Sequence, residues 1–399
     1  MVGRSCRIRL SPYWELAKPL EPRNARVARM FRVRLSESPM PTGSKDPDVL
    51  LAWLLDSMGL VRRKTEGASV KDEQGALHRL LRETVLVEPL KGWDARALGD
   101  SSGLSQTGVH HQLVKLRESG LLAADTEGRW HIHVLRGGSV SAAVGLVSMQ
   151  ARAILDLRLS ELAEVISESD DRMAASSEDE ELAFRIEVAE PGVAAEGEDR
   201  FDALVRDLGL SGERAKLGAR LSRSLLEELA SSGRANTLLA LADKCGDSRA
   251  RVQRSVERMR VAGIVERVPM LDRIAQDVFG GLMRQHDARG EEWLMTRGGV
   301  GRLDDSVSKA LISGVRKKSL NIEKVQKILG PVPLGSQKIL LNTLGGRMPY
   351  GVRIAGRDGA AVKERVMRRA DRTLRRMRTV AQRLDEALAL SVGVLFQGL

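Results

Sequence analysis

Residues 93–135, WDARALGDSSGLSQTGVHHQLVKLRESGLLAADTEGRWHIHVL, constrain the fold more than any other stretch of the chain. Their pattern predicts a short helix from Asp94 to Gly99, a turn, a second helix from Ser105 to Glu118, and then a β-hairpin. Val109, Leu113 and Leu116 recur at helical spacing and form one apolar stripe. Ser105 stands where an N-cap belongs, and Gly120 where a helix ends on a left-handed residue. LLAAD and WHIHVL read as short strands joined by the turn-like Thr126-Glu127-Gly128-Arg129. Helix, turn, helix, hairpin is the order of a winged helix.

The motif returns. Arg234 to Val268, RANTLLALADKCGDSRARVQRSVERMRVAGIVERV, repeats it at a displacement of 143 residues. Leu98 falls on Leu241, Gly103 on Gly246, Ser105 on Ser248 and Val109 on Val252. Leu113 falls on Val256, Leu116 on Met259, Gly120 on Gly263, and Leu121-Leu122 on Ile264-Val265. One departure is visible. After Val265 comes Glu266-Arg267-Val268-Pro269 with no alternating hairpin behind it, so the second copy is expected to lack a wing or to use a helix, Leu271 to Phe279, in its place.

The pattern Leu104-Ser105-x-x-x-Val109-x-x-x-Leu113-x-x-Leu116-x-x-x-Gly120-Leu121-Leu122 resembles the recognition helix and wing of ArsR/MarR-type prokaryotic transcription regulators. The resemblance covers a little over forty residues of the 399, with the second copy as a weaker match. It implies a double-stranded-DNA-binding regulator in which the helix after the wing makes a dimer. The plainer alternative is a winged helix that docks protein, since fold alone does not set function.

With the stripe turned inward, Thr107, His110, His111, Val114, Lys115 and Glu118 point outward or sideways. Gln106 and Thr107 occupy the first turn, which a helix-turn-helix pushes deepest into the major groove. Thr and Gln suit base edges, and Lys115 and Arg117 suit phosphates. Arg129 at the tip of the hairpin suits backbone or minor-groove contact, and Glu118 at the far end of the helix suits neither. In the second copy Arg249, Gln253, Arg254 and Arg258 take the places of Gln106, His110, His111 and Lys115. Arginine grips guanine edges bidentately or clamps phosphate. The expected DNA-contacting set is therefore Gln106, Thr107, His110, His111, Lys115, Arg117, Arg129, Arg249, Gln253, Arg254 and Arg258. A solvated basic face without a ligand is the alternative.

Charge agrees with this reading. Lys and Arg total 64 against 53 acids, a formal net charge of +11, which favours a polyanionic partner, nucleic acid before an anionic membrane surface. Five Trp, five Phe and two Tyr are too few for single-strand binding by base stacking. Two cysteines, Cys6 and Cys245, point to a reducing compartment without a disulfide framework. No apolar run reads as a membrane span, and the start lacks a signal-peptide core. The expectation is a cytoplasmic, nucleoid-associated protein that does not engage membranes.

The expected fold class is mainly α, with tandem winged helix or helix-turn-helix domains, a small β-hairpin wing and long connecting helices. Residues 1–45, with ten Lys/Arg and three acids, read as a basic N-terminal arm. Residues 46–136 form the first domain, opened by a helix capped at Asp46-Pro47 and a second helix from Glu73 to Glu83. Residues 139–166 read as a connecting or dimerisation helix, with Ala151, Leu155, Leu159, Leu162 and Ile166 on one face. Residues 167–202, with thirteen acids and three arginines, read as an acidic linker. Residues 203–280 hold the second helix-turn-helix domain. Residues 281–358 are a C-terminal region in which NIEKVQKILG, SQKILLNTLGG and YGVRIAG suggest a third, degenerate unit with a strand. Residues 360–390 are a basic amphipathic helix whose seam, Val366, Ala370, Leu374, Met377, Ala381, Leu384 and Leu388, suits dimerisation first, DNA phosphates second and a membrane surface third.

No Ser-His-Asp, HExxH, CxxC, P-loop or paired-carboxylate signature stands out, so an enzyme, a cofactor and a catalytic residue are not expected. His110, His111, His131 and His133 lack metal-ligand spacing, and metal sensing ranks below DNA contact. The function expected is a sequence-specific transcription regulator acting as a homodimer on a two-part site. The alternatives are a replication initiator or chromosome-partition protein, and a winged-helix protein-interaction adaptor.

Overall fold

The computed structural model describes residues 31–61, 75–127, 130–173, 182–192, 197–212 and 215–397. The chain is mainly helical, with small two-stranded antiparallel ladders among the described residues. Its first part runs β1 (Arg32–Ser36), α1 (Pro47–Ser57), α2 (Ala76–Leu80), which widens into a π turn over Leu81–Val85, α3 (Ala95–Ser102) and α4 (Gln106–Glu118). The hairpin β2 (Leu122–Glu127) and β3 (Trp130–Leu135) follows, and then the long helix α5 (Val140–Val165). Local chemistry sets these boundaries. The carboxylate of Asp46 caps α1 with Pro47 at its first position, Asp94 accepts from the Ala97 N–H, and Ser105 from the Gly108 N–H. Gly103, at φ 65°, makes the turn between α3 and α4 in the left-handed conformation that glycine adopts without strain.

The second part repeats this order as β4 (Arg185–Ala189), α6 (Arg200–Asp207), α7 (Ala215–Ser231), α8 (Leu238–Cys245), α9 (Arg249–Val261) and β5 (Val265–Pro269). Helices α8 and α9 are α3 and α4 displaced by 143 residues at both ends. Then an insertion intervenes, made of α10 (Leu271–Thr296), α11 (Asp305–Arg316), α12 (Ile322–Leu329) and α13 (Leu334–Thr343). Only after it do β6 (Tyr350–Ile354), pairing antiparallel with β5, and α14 (Gly359–Gln397) complete the repeat.

The second copy therefore has its hairpin, contrary to the expectation that it lacks one. Leu122 pairs with Leu135 in the first ladder, and Val265 with Ile354 in the second. Trp93 bridges to His133 through N–H···O contacts of 2.9 and 2.7 Å, and Asn236 bridges to Val352 through two of 2.8 Å. The Arg136 N–H donates to Leu121 O and the Ala355 N–H to Ile264 O. Positions before the insertion match at a displacement of 143 and those after it at 219. YGVRIAG is thus the closing strand of the second unit, not part of a third one. The expected helix at Leu271 exists, in addition to the strands. The insertion has its own apolar core, with Val278, Leu282, Leu294, Leu311, Val325 and Leu341 buried together.

A local two-fold axis relates the two repeats. Strands β1 and β4 pair antiparallel so that Arg34 faces Glu187, and Arg34 displaced by 153 residues is Glu187, as Asp46 at the cap of α1 is Asp199 at the cap of α6. The flanking hydrogen bonds obey the same exchange. The Glu37 N–H donates to Phe184 O at 2.7 Å, and the Glu190 N–H to Phe31 O at 2.9 Å. Gly59 and Gly209, both at φ 66°, lie against the Arg34 and Glu187 side chains. Helices α5 and α14 pack antiparallel, with Arg152 ion-paired to Asp371, again equivalent positions at a displacement of 219.

One core runs through both repeats. The face of α5 carrying Ala151, Leu155, Leu159 and Leu162 is buried, as is the α14 seam at Val366, Ala370, Leu374, Met377, Ala381 and Leu384. The seam read as a dimer contact is occupied by the chain's own helices. Helix α5 is also, by length and composition, apolar enough to cross a membrane, at a mean hydropathy of 1.3 over its best window, although no such run stood out in the sequence. Two other sequence readings change. Phe184, Ile186, Val188 and Ala189 lie in the core, so the acidic segment contains the strand at the axis rather than being a linker throughout. The basic arm likewise ends in a buried strand, with Phe31, Val33 and Leu35 inside, while residues 1–30 lie outside the described residues.

Candidate nucleic-acid interface

Helices α4 and α9 occupy the same place in the two repeats and each turns an apolar edge inward, with the Ser255 hydroxyl buried among the apolar side chains of α9. Val109, Leu113 and Leu116 are buried on α4, and Val252, Val256 and Met259 on α9. Burying three such side chains per helix is worth several kcal/mol at about 1.5–3 kcal/mol each, enough to decide which face turns to solvent. Opposite that edge on α4, Gln106, Thr107, His110, His111, Lys115 and Arg117 are all exposed. Val114, at 36% exposure, lies among them. Gln106 and Thr107 form the first turn, directly after the Ser105 cap.

On α9 the exposed positions are Arg249, Ala250, Gln253 and Arg254. Arg258 departs from the expected pattern. It is half-buried, its Nε donating to Leu210 O at 2.9 Å and its Nη2 to Ser255 Oγ at 3.0 Å. Burial, and then the neighbouring Arg254 charge, lower its pKa. Lys115, at the equivalent place on α4, stays exposed. The reason is local: after Gly209 the chain carries the Leu210 carbonyl close to α9, and Arg258 answers that acceptor. Arg129 lies outside the described residues.

Two further arginines on α9 were missed by the sequence reading. Arg251 pairs with Asp247 at 3.0 Å, and Arg260 with Glu257 at 2.6 Å. Each pairs with a carboxylate of its own helix region, which leaves Arg249 and Arg254 as the outward guanidiniums.

The histidines separate. His110, His111 and His131 are exposed, whereas His133 is buried beside Trp93 in the β3 bridge. Desolvation, and then the charges of Arg117 and His131, lower the His133 pKa, so the ring is held neutral. Among the described residues no group of three or more His, Cys, Asp or Glu side chains gathers as a metal site.

The basic face of α14 is largely engaged by carboxylates from other elements. Arg369, Arg372 and Arg376 converge on Glu37 at 3.6, 3.6 and 3.0 Å, Arg365 reaches Glu266 at 2.9 Å, and Lys363 reaches Asp156 at 2.8 Å. Between α5 and α6 lies a cavity of about 310 Å³ lined by Arg158, Glu161, Glu198, Asp199, Arg200 and Arg206. Arg158 bridges Glu161 and Asp207, and Arg206 holds Glu198 and Asp207, so the cavity's charges serve mainly to tie α5 to α6.

The elements thus offer two unlike polar faces, one mixed and one arginine-rich, at equivalent places in a duplicated body. No family model, no curated protein and no solved structure matches this chain.

Proposed function

We propose that each repeat is a winged helix and that the chain is a sequence-specific double-stranded-DNA-binding protein, acting in transcription regulation through α4 and α9. The observation that carries the reading is the pairing of those two helices. Each rests on a buried apolar edge in the same unit and presents a solvent-facing surface of base-reading and cationic residues, beginning in its first turn. Gln106 and Thr107 suit base edges, as do Arg249 and Gln253, whose fork and amide match guanine and adenine respectively. Lys115, Arg117 and Arg254 suit phosphates. The basic balance of the whole chain supports the same partner.

The test is duplex binding across a salt series. Arg254→Ala should lower the slope of log affinity against log salt by about 0.9 for a lost phosphate contact, whereas Arg249→Ala should relax the preference for guanine facing α9 and leave that slope nearly unchanged. Gln106→Ala and Thr107→Ala should relax sequence preference while leaving nonspecific affinity nearly unchanged. Absence of binding to any duplex would overturn the reading in favour of a protein-docking adaptor.

A further inference from the structure

From the local two-fold axis we infer that a single chain, as a monomer, reads two different half-sites in inverted orientation on one duplex, a site shaped like a palindrome whose halves differ in base sequence. The inference rests on the DNA reading above and adds its stoichiometry, its orientation and its asymmetry. A two-fold operation that carries α4 onto α9 is the operation that relates the two antiparallel strands of a duplex. Two helices so related dock on half-sites that read inward from opposite strands, with centres one helical turn or a multiple apart, about 10–10.5 base pairs per turn. Paired subunits ordinarily supply this symmetry. Here one chain supplies it, through the β1–β4 ladder centred on Arg34 and Glu187 and the α5–α14 pair centred on Arg152 and Asp371.

Two observations separate this chain from a symmetric dimer. The apolar seams of α5 and α14 are buried against the chain itself, so no second copy is needed to complete the pair. The residues of the reading faces also differ position by position. Gln106 corresponds to Arg249, Thr107 to Ala250, His110 to Gln253 and His111 to Arg254. Arg249 and Gln253 favour guanine and adenine in the α9 half. Gln106 favours adenine in the α4 half, and the Thr107 methyl favours a thymine methyl. The halves of the site therefore differ as the helices do.

The experiment uses the full chain and a random-sequence duplex library as the probe. Selected duplexes are sequenced, and the mass of the complex on the selected site is measured by light scattering. One chain per duplex is expected, on a site with two unlike inverted halves. Turning one half into a direct repeat, or replacing it with an inverted copy of the other, should weaken binding on the order of 100-fold, as a few mismatched base pairs do. The combined substitution Gln106→Arg, Thr107→Ala, His110→Gln and His111→Arg gives α4 the face of α9, and should shift the selected site to a true palindrome of the α9 half. These four side chains are exposed, and the wild-type mass and site test the inference without the variant. Two chains per duplex, a symmetric site selected by the wild-type chain, or indifference to half-site orientation would each overturn the inference while leaving DNA binding intact. Selection of no duplex would overturn the DNA reading beneath it.

Discussion

Removing one partner of the Glu266–Arg353 pair should destabilise the second repeat strongly, and removing both should not. The two residues face each other across the β5–β6 ladder, with the Arg353 Nε 2.9 Å and Nη2 2.8 Å from Glu266 Oε1, and their side chains only 7% and 6% exposed. The first repeat has Ala123 facing Val134 at the equivalent ladder position. The fold thus accepts an apolar pair in this place. Taking two charges out of water costs several kcal/mol per ion, and the attraction between them does little more than offset it. Glu266→Ala leaves the Arg353 guanidinium desolvated without this carboxylate, an expected loss of about 3–5 kcal/mol. Arg353→Val is the milder change, near the low end of that range at about 3 kcal/mol, because Arg365 still reaches Glu266 at 2.9 Å. The double change to Ala and Val reproduces the first repeat's pair, and is expected to lie within about 1 kcal/mol of the wild type or above it. Urea unfolding followed by far-UV circular dichroism reads this out. The single variants should lower the midpoint by roughly 1 M or more, at slopes of about 3 kcal/mol/M for a chain this size. A double variant less stable than either single one would refute the reasoning, since the buried pair would then be a net source of stability.

Other consequences are more local. Asp385 on α14 accepts hydrogen bonds from the Val140 and Ser141 N–H groups at 3.0 and 2.8 Å, capping α5 from outside, and Asp385→Ala should cost about 1–2 kcal/mol by thermal unfolding. Gly59→Ala and Gly209→Ala should each cost at least about 1–2 kcal/mol, because both sites are left-handed and a Cβ there would lie 2.6 Å from Arg34 Cβ and 2.4 Å from Glu187 Cβ. Similar losses at the two sites would bear on the duplication as well as on the turns. His133 has a folded-state pKa below its unfolded value, so the folded chain binds fewer protons than the unfolded one. Its contribution is present above the unfolded value near 6.5 and is lost as pH falls toward the lower folded value. His133→Val, the residue found at the equivalent Val352, should flatten the fall in unfolding midpoint below about pH 6.5, and an unchanged pH profile would refute this assignment.

How far the sequence shows this fold depends on the range of the interactions. Helices α3, α4, α8 and α9 are legible because their determinants are local, namely caps at Asp94, Ser105 and Thr237, turn glycines at 103 and 246, and apolar spacing. The outward direction of Gln106, Thr107, Arg249 and Arg254 follows from the same spacing. The second hairpin is not legible because β5 meets its partner only after residues 270–349, and no local pattern announces a strand so distant. The axis strand Arg185–Ala189 is hidden because acidic neighbours dominate the composition around a five-residue element. Arg258 reads as outward on periodicity, but a carbonyl from another segment draws it in. The duplication is only half visible because the repeats match at 153, 150, 143 and 219 residues in turn, and a search at one displacement finds only one part.

The charges on the axis say why this pair is fused. In a homodimer a residue on the two-fold axis faces its own copy, so a charged side chain there meets like charge. Here Arg34 faces Glu187, with the Glu187 carboxylate also held by Arg32 at 2.7 and 2.8 Å, and Arg152 faces Asp371 at 3.0 Å. Both axis positions carry opposite charges, which only unlike repeats can do, and each repeat thereby matches the other better than a copy of itself. Arg34→Glu and Glu187→Arg should each destabilise the chain, the second more, because it removes a largely buried carboxylate from two arginines. The combined swap should recover part of the loss. Arg34 is 44% exposed, so a coupling energy of only about 1 kcal/mol is expected from the double-mutant cycle. Glu187→Arg should also leave the chain monomeric by light scattering, because like charges would then meet in a swapped pair as well. Strict additivity of the two single losses would show that axis charge plays no part in how the repeats choose each other, and the pairing would then rest on the α5–α14 seam alone.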